Sequence, residues 1–261
     1  MRADKFFAEK FGSRTKSAEA IEKGLVLING KTIKPKDEVV ETDEVTFIQP
    51  NEAFVSNGGY KLARAIDSFS VDCKNKVFVD LGASTGGFTD CLLQNGAKLV
   101  YAVDVGESLL HPSIANDKRI ISIENCNARY LTDKDFDQRI DGVVTDVSFI
   151  SLKLIFPSIK SILSKDGEAI VLIKPQFECD KKHIGKSGIV KPVLHADIVK
   201  KVIGYAQENG LYPFHITHAP IRKGKNIEYL LHLKTTKHQA MTDDTVIQTV
   251  KNLVKIHSTK Q

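Results

Sequence analysis

The stretch Val77-Phe78-Val79-Asp80-Leu81-Gly82-Ala83-Ser84-Thr85-Gly86-Gly87-Phe88-Thr89-Asp90 decides the fold. An apolar run closing on an acid reads as a buried parallel strand. The small residues Gly82, Ala83, Ser84, Thr85, Gly86 and Gly87 that follow let a ligand come close to the backbone, and a helix is predicted from about Phe88. Leu99-Val100-Tyr101-Ala102-Val103 forms a second apolar strand closed by Asp104, a position from which an acid can hold ribose hydroxyls. The unit therefore suits a nucleoside. Its glycines depart from G-x-G-x-x-G, which argues against a nicotinamide or flavin site. A glycine turn that binds nothing is the alternative reading, and the acid ending the next strand speaks against it.

Outward from this unit the chain continues as alternating strands and helices. Ile120–Ile123, Gly142–Thr145 and Ala169–Ile173 read as strands, followed respectively by Asn127, Asp146 and Lys174. Ligands of open parallel sheets lie outside the carboxyl ends of the strands. Asp80, Asp104, Asn127, Asp146 and Lys174 are thus expected to face one crevice. Singly each could be a solvated strand-end group; together they indicate a site. Helices are predicted at Phe88–Gln94, at Ser148–Leu163 with a kink at Pro157, and at His195–Gln207. Tyr212–Ile216 and Ile227–Leu233 are close enough to form an antiparallel edge pair. Thr242-Asp243-Asp244 caps a last helix whose Val246, Ile247, Val250, Leu253 and Val254 face the core. Upstream, Ser56-Asn57-Gly58-Gly59-Tyr60-Lys61 leads into a helix at Leu62–Ile66. Lys61 falls in its first turn, where a cation opposes the helix dipole and is either solvated or has another task.

The first 48 residues differ in character. Arg2, Lys5, Lys10, Arg14, Lys16, Lys23, Lys31, Lys34 and Lys36 outnumber the acids up to residue 36, and a run of acids follows. Such a distribution suits a phosphate backbone, although a mixed-charge helical hairpin could also be a solvated cap. Phe6, Phe7 and Phe11 recur at roughly helical spacing, and a second helix carrying Ala18 and Ile21 stops at Gly24. Leu25–Ile28 then runs as a strand into an Asn29-Gly30 hairpin turn, with Val45–Ile48 as a later strand. Over the whole chain of 261 residues the net charge is +5, so only local clustering argues for a polyanion. No apolar run approaches the ~18 residues of a membrane span, and the N-terminus has no signal-peptide core; the protein is read as cytoplasmic. Cys73, Cys91, Cys126 and Cys179 form no C-x-x-C pair or zinc spacing and are expected as buried free thiols. No metal site is predicted.

Several motifs resemble known families. D-x-G-x-x-x-G-G at Asp80–Gly87 resembles the first motif of S-adenosylmethionine-dependent methyltransferases. Ile21-Glu22-Lys23-Gly24-Leu25-Val26-Leu27-Ile28-Asn29-Gly30 resembles the I-x-x-G-x-V-x-x-N-G pattern of S4 RNA-binding domains, with Thr15-Lys16 where that family usually has Ser-Arg. Joined to Ser56-x-Gly58-Gly59-x-Lys61-Leu62, Asn127-Ala128-Arg129, Asp146–Leu152, Lys174-Pro175-Gln176-Phe177-Glu178 and Asn226-Ile227-Glu228-Tyr229, the order resembles the TlyA family. These are haemolysin-like ribosomal RNA 2′-O-methyltransferases with an FtsJ-like catalytic domain. In the linker, Ala53-Phe54-Val55 keeps the aromatic of the family but has Ala53 where an arginine is common.

The resemblance implies a seven-stranded, mostly parallel α/β methyltransferase of Rossmann type, with an antiparallel edge pair and a small α+β S4 module. The divisions expected are S4 at 1–48, linker at 49–57 and methyltransferase at 58–261. It implies a tetrad of Lys61, Asp146, Lys174 and Glu228. S-adenosylmethionine would be held by Asp80, Gly82 to Phe88, Asp104, Asn127 and Asp146. A ribose hydroxyl needs a base, and a lysine at its ordinary pKa of ~10.4 cannot be one; a second ammonium or desolvation would lower that value, and carboxylates would raise it. Lys174 is taken as base and Lys61 as the group positioning the hydroxyl. RNA contacts are expected from Arg2, Lys5, Arg14 and Lys16, and from the basic loops bearing Lys182, Lys186, Arg222 and Lys223. No aromatic platform for single-stranded bases is evident, so recognition of folded RNA with the target nucleotide flipped out is expected. The implied substrate is a cytidine of large-subunit rRNA, with the small subunit also possible, and the protein is expected to be a monomer. A non-catalytic assembly factor would show a broken tetrad, and none of the four is missing. A membrane-active haemolysin would need a long apolar amphipathic segment, which residues 242–256 do not supply.

Overall fold

The computed structural model of the chain describes residues 1–22, 24–47, 53–222 and 224–258. Expectations for Lys23, Ile48, most of the linker and Lys223 lie outside these. Two compact units result, Met1–Ala53 and Phe54–Gln261.

In the first unit, α1 (Ala3–Phe6) and α2 (Arg14–Glu22) precede β1 (Val26–Ile28), β2 (Lys31–Thr32) and β3 (Val45–Phe47), which pair antiparallel in the order β2-β1-β3. Asn29 (φ 51°) and Gly30 (φ 73°) are both left-handed, as the tight turn between β1 and β2 requires. Ala3, Phe7, Ile21, Val26, Ile28 and Val39 form the core. The first helix is shorter than the phenylalanine spacing suggests. Phe7 and Phe11 instead meet Phe47 edge-on at 5.7 and 6.1 Å, so their recurrence reflects packing on the sheet.

The second unit opens with α3 (Asn57–Phe69), whose start is set by Ser56: its Oγ accepts from Gly58 N at 3.3 Å. The helix therefore begins four residues before Lys61, which sits beyond the first turn. Then follow β4 (Val77–Leu81), α4 (Gly87–Gln94), β5 (Leu99–Val103), α5 (Pro112–Ala115), β6 (Ile120–Ile123), β7 (Gly142–Thr145), α6 (Phe156–Ile162), β8 (Glu168–Ile173), α7 (Pro175–Glu178), α8 (His195–Glu208), β9 (Tyr212–His218), β10 (Tyr229–Lys234) and α9 (Asp243–Ser258). The seven strands are ordered β6-β5-β4-β7-β8-β10-β9. β10 runs antiparallel to both β8 and the edge strand β9, while the other pairings are parallel.

Every residue of β4 is buried, as a central strand covered on both faces must be. Phe78 packs with Leu62, Phe69, Leu92 and Val144 on one face. Val79 and Leu81 pack with Phe156, Ile159, Val199 and Leu231 on the other. The predicted kinked helix at 148–163 is absent. A 3-10 turn at Leu152–Leu154 precedes α6, and Pro157 lies in its first turn, where the missing N–H has no intrahelical acceptor to lose. All four cysteines are free; Cys73 and Cys91 are buried as expected, but Cys126 and Cys179 are only half-buried because they lie in loops. Among the described residues no helix is long and apolar enough to cross a membrane.

Candidate active site

The carboxyl ends of β4, β5, β7 and β8 border two adjoining cavities that share Gly82, Ser84, Asp146 and Ser148. The smaller, about 190 Å³, is lined by Ser56, Gly58, Asp80, Gly82 to Thr85, Gly87, Phe88, Asp146, Ser148 and Lys174. The larger, about 680 Å³, adds Asp104, Asn127, Arg129 and Phe149. The five strand-end groups therefore do converge, divided between two halves of one crevice. Gly82 turns the chain at φ 80°, and a Cβ there would lie 3.0 Å from Val147 Cγ1. Gly86 lines neither cavity. It caps α4 with φ 85° and leaves room for Ile114 and Leu110.

Asp104 is aimed by backbone amides: Ser84 N donates to Oδ2 at 2.8 Å and Gly106 N to Oδ1 at 3.0 Å. Asn127 Oδ1 accepts from Arg129 N at 3.2 Å and Arg129 Nε at 3.1 Å. Asp80 is wholly buried; its Oδ2 accepts from Thr89 Oγ1 at 2.7 Å, while Oδ1 has no hydrogen-bond partner among the described residues. Burial pushes its pKa up to about 7. An orphaned buried acceptor at the floor of the small cavity, a glycine cradle above it and an acid on the far side fit a ligand with a cationic amino-acid end and a ribose.

Where the cavities meet, Asp146 bridges two lysines. Its Oδ1 lies 2.6 Å from Lys174 Nζ and its Oδ2 3.0 Å from Lys61 Nζ. Lys61 also meets Glu228 Oε2 at 2.9 Å, so the cation that opposes the dipole of α3 is offset by two carboxylates. Burial pulls the Lys61 pKa down, but Asp146 and Glu228 together outweigh it and hold the ammonium above the ordinary lysine range. Lys174 Nζ also donates to Ser148 Oγ at 2.6 Å and to the Asp146 carbonyl at 3.2 Å. The four residues of the predicted tetrad, which span α3, the ends of β7 and β8 and the loop before β10, thus form one cluster.

On the other side of Lys61 and Glu228 lies a third cavity of about 460 Å³, walled by Tyr60, Gln176, Ser187–Ile189 and residues 219–222 and 224–227. The predicted basic loop at 222–225 borders this cavity, while of the other only the residues that follow Lys186 do. Asn226 stitches them, its Oδ1 accepting from Val190 N at 2.8 Å and its Nδ2 donating to Gly188 O at 2.9 Å. Arg222 lines the cavity; Lys186 is exposed; Lys182 is exposed and 3.5 Å from Asp180. In the first unit Lys5 and Lys16 are exposed, whereas Arg2 and Arg14 both bind Asp4 Oδ2, at 2.7 and 3.1 Å. The Arg2 hydrogen bond holds that carboxyl below its usual range.

Sequence reasoning missed two features. Phe149 is 91% exposed, has φ 62° and sits against Phe177 with ring centroids 5.1 Å apart, at the rim of the large cavity. Tyr130, 74% exposed, stands under Arg129 nearby in sequence. The site has exposed aromatics after all; a single phenylalanine between Ser148 and Ile150 carries no periodic signal. Glu178 is the second. Its carboxylate, buried and with a raised pKa from desolvation, accepts from Ser151 Oγ at 2.6 Å and Leu152 N at 2.8 Å, tying the segment after β7 to α7.

Residues 54–235 match the FtsJ-like methyltransferase family and residues 1–45 the S4 domain. The chain is 41% identical over 225 residues to "Putative rRNA methyltransferase YqxC" of Bacillus subtilis, covering 85% of this chain and 80% of that one. It is 39% identical over 234 residues to "16S/23S rRNA (cytidine-2'-O)-methyltransferase TlyA" of Mycobacterium tuberculosis, covering 88% and 87%. The solved structure of "Putative hemolysin from Streptococcus thermophilus" superposes with a TM-score of 0.79 at 35% identity, over 100% of this chain and 98% of that one. With its S4 unit, its seven-stranded sheet and the cluster of Lys61, Asp146, Lys174 and Glu228, the chain belongs to the FtsJ-like methyltransferases, among the TlyA and haemolysin-related proteins.

Proposed function

We propose that this protein transfers a methyl group from S-adenosylmethionine to a ribose 2′-hydroxyl of ribosomal RNA, by analogy with the relatives so named. The observation that carries the reading is Asp146 bridging Lys61 and Lys174 where the cavities adjoin. S-adenosylmethionine supplies a sulfonium methyl to an in-line nucleophile. Asp80, Gly82 to Thr85, Gly87 and Phe88 would hold its amino-acid end, Asp104 its ribose and Asn127 the edge of the adenosine half.

Lys61 is held as an ammonium by two carboxylates, so it can orient and polarise a hydroxyl but not take its proton. Lys174, which pairs with one carboxylate, is the proposed base. The entering hydroxyl would replace Ser148 Oγ as the partner of Lys174 Nζ, and that amine would take its proton as the oxygen gains the methyl, the sulfonium S–C bond breaking to leave a neutral thioether. Glu228 keeps Lys61 in place. Phe149, exposed at the rim, offers a face for a base beside the flipped nucleotide.

The division of labour follows as residues 1–48 for RNA, 49–57 as linker and 58–261 for catalysis. Lys5 and Lys16 are the cations best disposed to phosphates in the first, with Arg2 and Arg14 partly neutralised by Asp4; Lys182, Lys186, Arg222 and Lys223 serve the second. A cytidine of the large subunit is the proposed target, in the cytoplasm, with the protein acting as a monomer. Mass spectrometry of unmodified ribosomal RNA incubated with labelled S-adenosylmethionine tests the reading: one methylated ribose is expected, and a Lys174→Ala protein should lose at least about 10³-fold in rate. Methylation by that variant at the wild-type rate would remove the base assignment.

A further inference from the structure

One wall of the cavity beside Lys61 and Glu228 is the loop 184–190, between α7 and α8. Its ends meet through a bridge between Ile184 and Val190, and Gly185 N donates to Ile189 O at 2.9 Å. Its tip, Gly185-Lys186-Ser187-Gly188, has no apolar side chain with which to hold its position, whereas Val190 at its end is buried.

A line of hydrogen bonds, buried at its inner end, holds it as well. Tyr229, next to Glu228 and wholly buried, has its hydroxyl 2.8 Å from His195 Nδ1. His195, the first residue of α8 and 1% exposed, has Nε2 at 3.3 Å from the Val190 carbonyl. Val190 N donates to Asn226 Oδ1 and Asn226 Nδ2 donates to Gly188 O. One arrangement satisfies every group: Tyr229 O–H donates to Nδ1, and Nε2–H donates to Val190 O. Burial keeps the imidazole neutral, which is the form this arrangement needs. Among the described residues none of these groups hydrogen-bonds to Lys61, Asp146 or Lys174, and an apolar side chain of similar volume would fill the space without the expense of desolvating a histidine and a tyrosine. A structural role alone does not account for a polar line that runs from Tyr229, beside Glu228, to Val190 and Gly188 in one cavity wall.

We propose that His195 is a positioning residue: through Tyr229 and Val190 it fixes the 184–190 loop to the start of β10, so that the cavity receiving the acceptor nucleotide is formed before RNA arrives. This rests on the methyltransferase reading for its substrate, while the bracing of the loop can be judged apart from it. A preformed wall lowers the ordering cost of binding; its loss should weaken RNA and leave the distant cofactor side alone.

The test compares His195→Ala, Asn226→Ala, the near-isosteric Tyr229→Phe and the partial mimic His195→Gln with wild type, using in vitro transcribed ribosomal RNA and labelled S-adenosylmethionine. In single-turnover assays the half-saturating RNA concentration should rise about tenfold for the two alanine variants and about threefold for Tyr229→Phe, with His195→Gln nearer wild type. The rate at saturating RNA should stay within about threefold and S-adenosylmethionine affinity within about twofold. Amide exchange at residues 185–190 should quicken in the same order. Lowered melting temperatures with unchanged half-saturation and unchanged exchange would overturn the proposal, as would losses of cofactor affinity in step with RNA. If wild type methylates no ribose, the functional reading fails, and exchange in the loop still decides whether His195 braces it.

Discussion

Asp80 lines the smaller cavity, fully buried, with one oxygen bonded to Thr89 and the other without a partner among the described residues, and burial raises its pKa from 3.8 to about 7. A carboxyl whose folded pKa exceeds its unfolded value stabilises the fold when protonated; that contribution is complete below the unfolded pKa and is lost as pH rises to the folded one. A shift of about 3 units corresponds to about 4 kcal/mol in full, of which about 2 to 3 kcal/mol is lost between pH 5 and pH 8. Asp80→Asn keeps the acceptor for Thr89 and cannot ionise. Urea unfolding of ligand-free wild type and variant at several pH values isolates the group, because all other titrations cancel in the difference. The variant should gain about 2 to 3 kcal/mol relative to wild type from pH 5 to pH 8, while binding S-adenosylmethionine more weakly. A difference constant across that range would refute the argument, showing that Asp80 ionises without cost in the ligand-free protein.

Gly87→Ala would put a Cβ 2.2 Å from Ser56 Oγ and 2.9 Å from Gly59 N, so α3 and α4 must separate; a loss of about 1–3 kcal/mol is expected in thermal or urea unfolding. Phe149→Ala removes an exposed ring that packs only at the rim. It should leave melting temperature and S-adenosylmethionine affinity unchanged and raise the half-saturating RNA concentration by about five- to thirtyfold, equivalent to about 1–2 kcal/mol of stacking; an unaltered RNA dependence would remove the stacking role.

Much of the site was legible because parallel strands deliver their last residues to one edge. Asp80, Asp104, Asp146 and Lys174 each end an apolar run, and the period of the runs alone brings them together. The first phenylalanines were misread because Phe7 and Phe11 answer to Phe47 across the sheet. Pro157 was misread because a proline marks a kink or a helix start depending on where the preceding loop ends, and that loop is set by Glu178, 26 residues after Leu152. The exposure of Phe149 follows from its left-handed backbone, which no side-chain pattern records.

The sequence by itself determined most of the strand order and the glycine cradle, since these depend on local hydrophobic period, while the identity of the four clustered residues came from the family resemblance of its motifs. Only the tertiary structure gives the two lysines different charge environments. Lys61 and Lys174 are alike in the chain, and the difference between them is the second carboxylate that β10 brings to Lys61 from 167 residues away. Charge interactions depend on distance in space, and that distance exists only once α3, β7, β8 and the start of β10 are packed together.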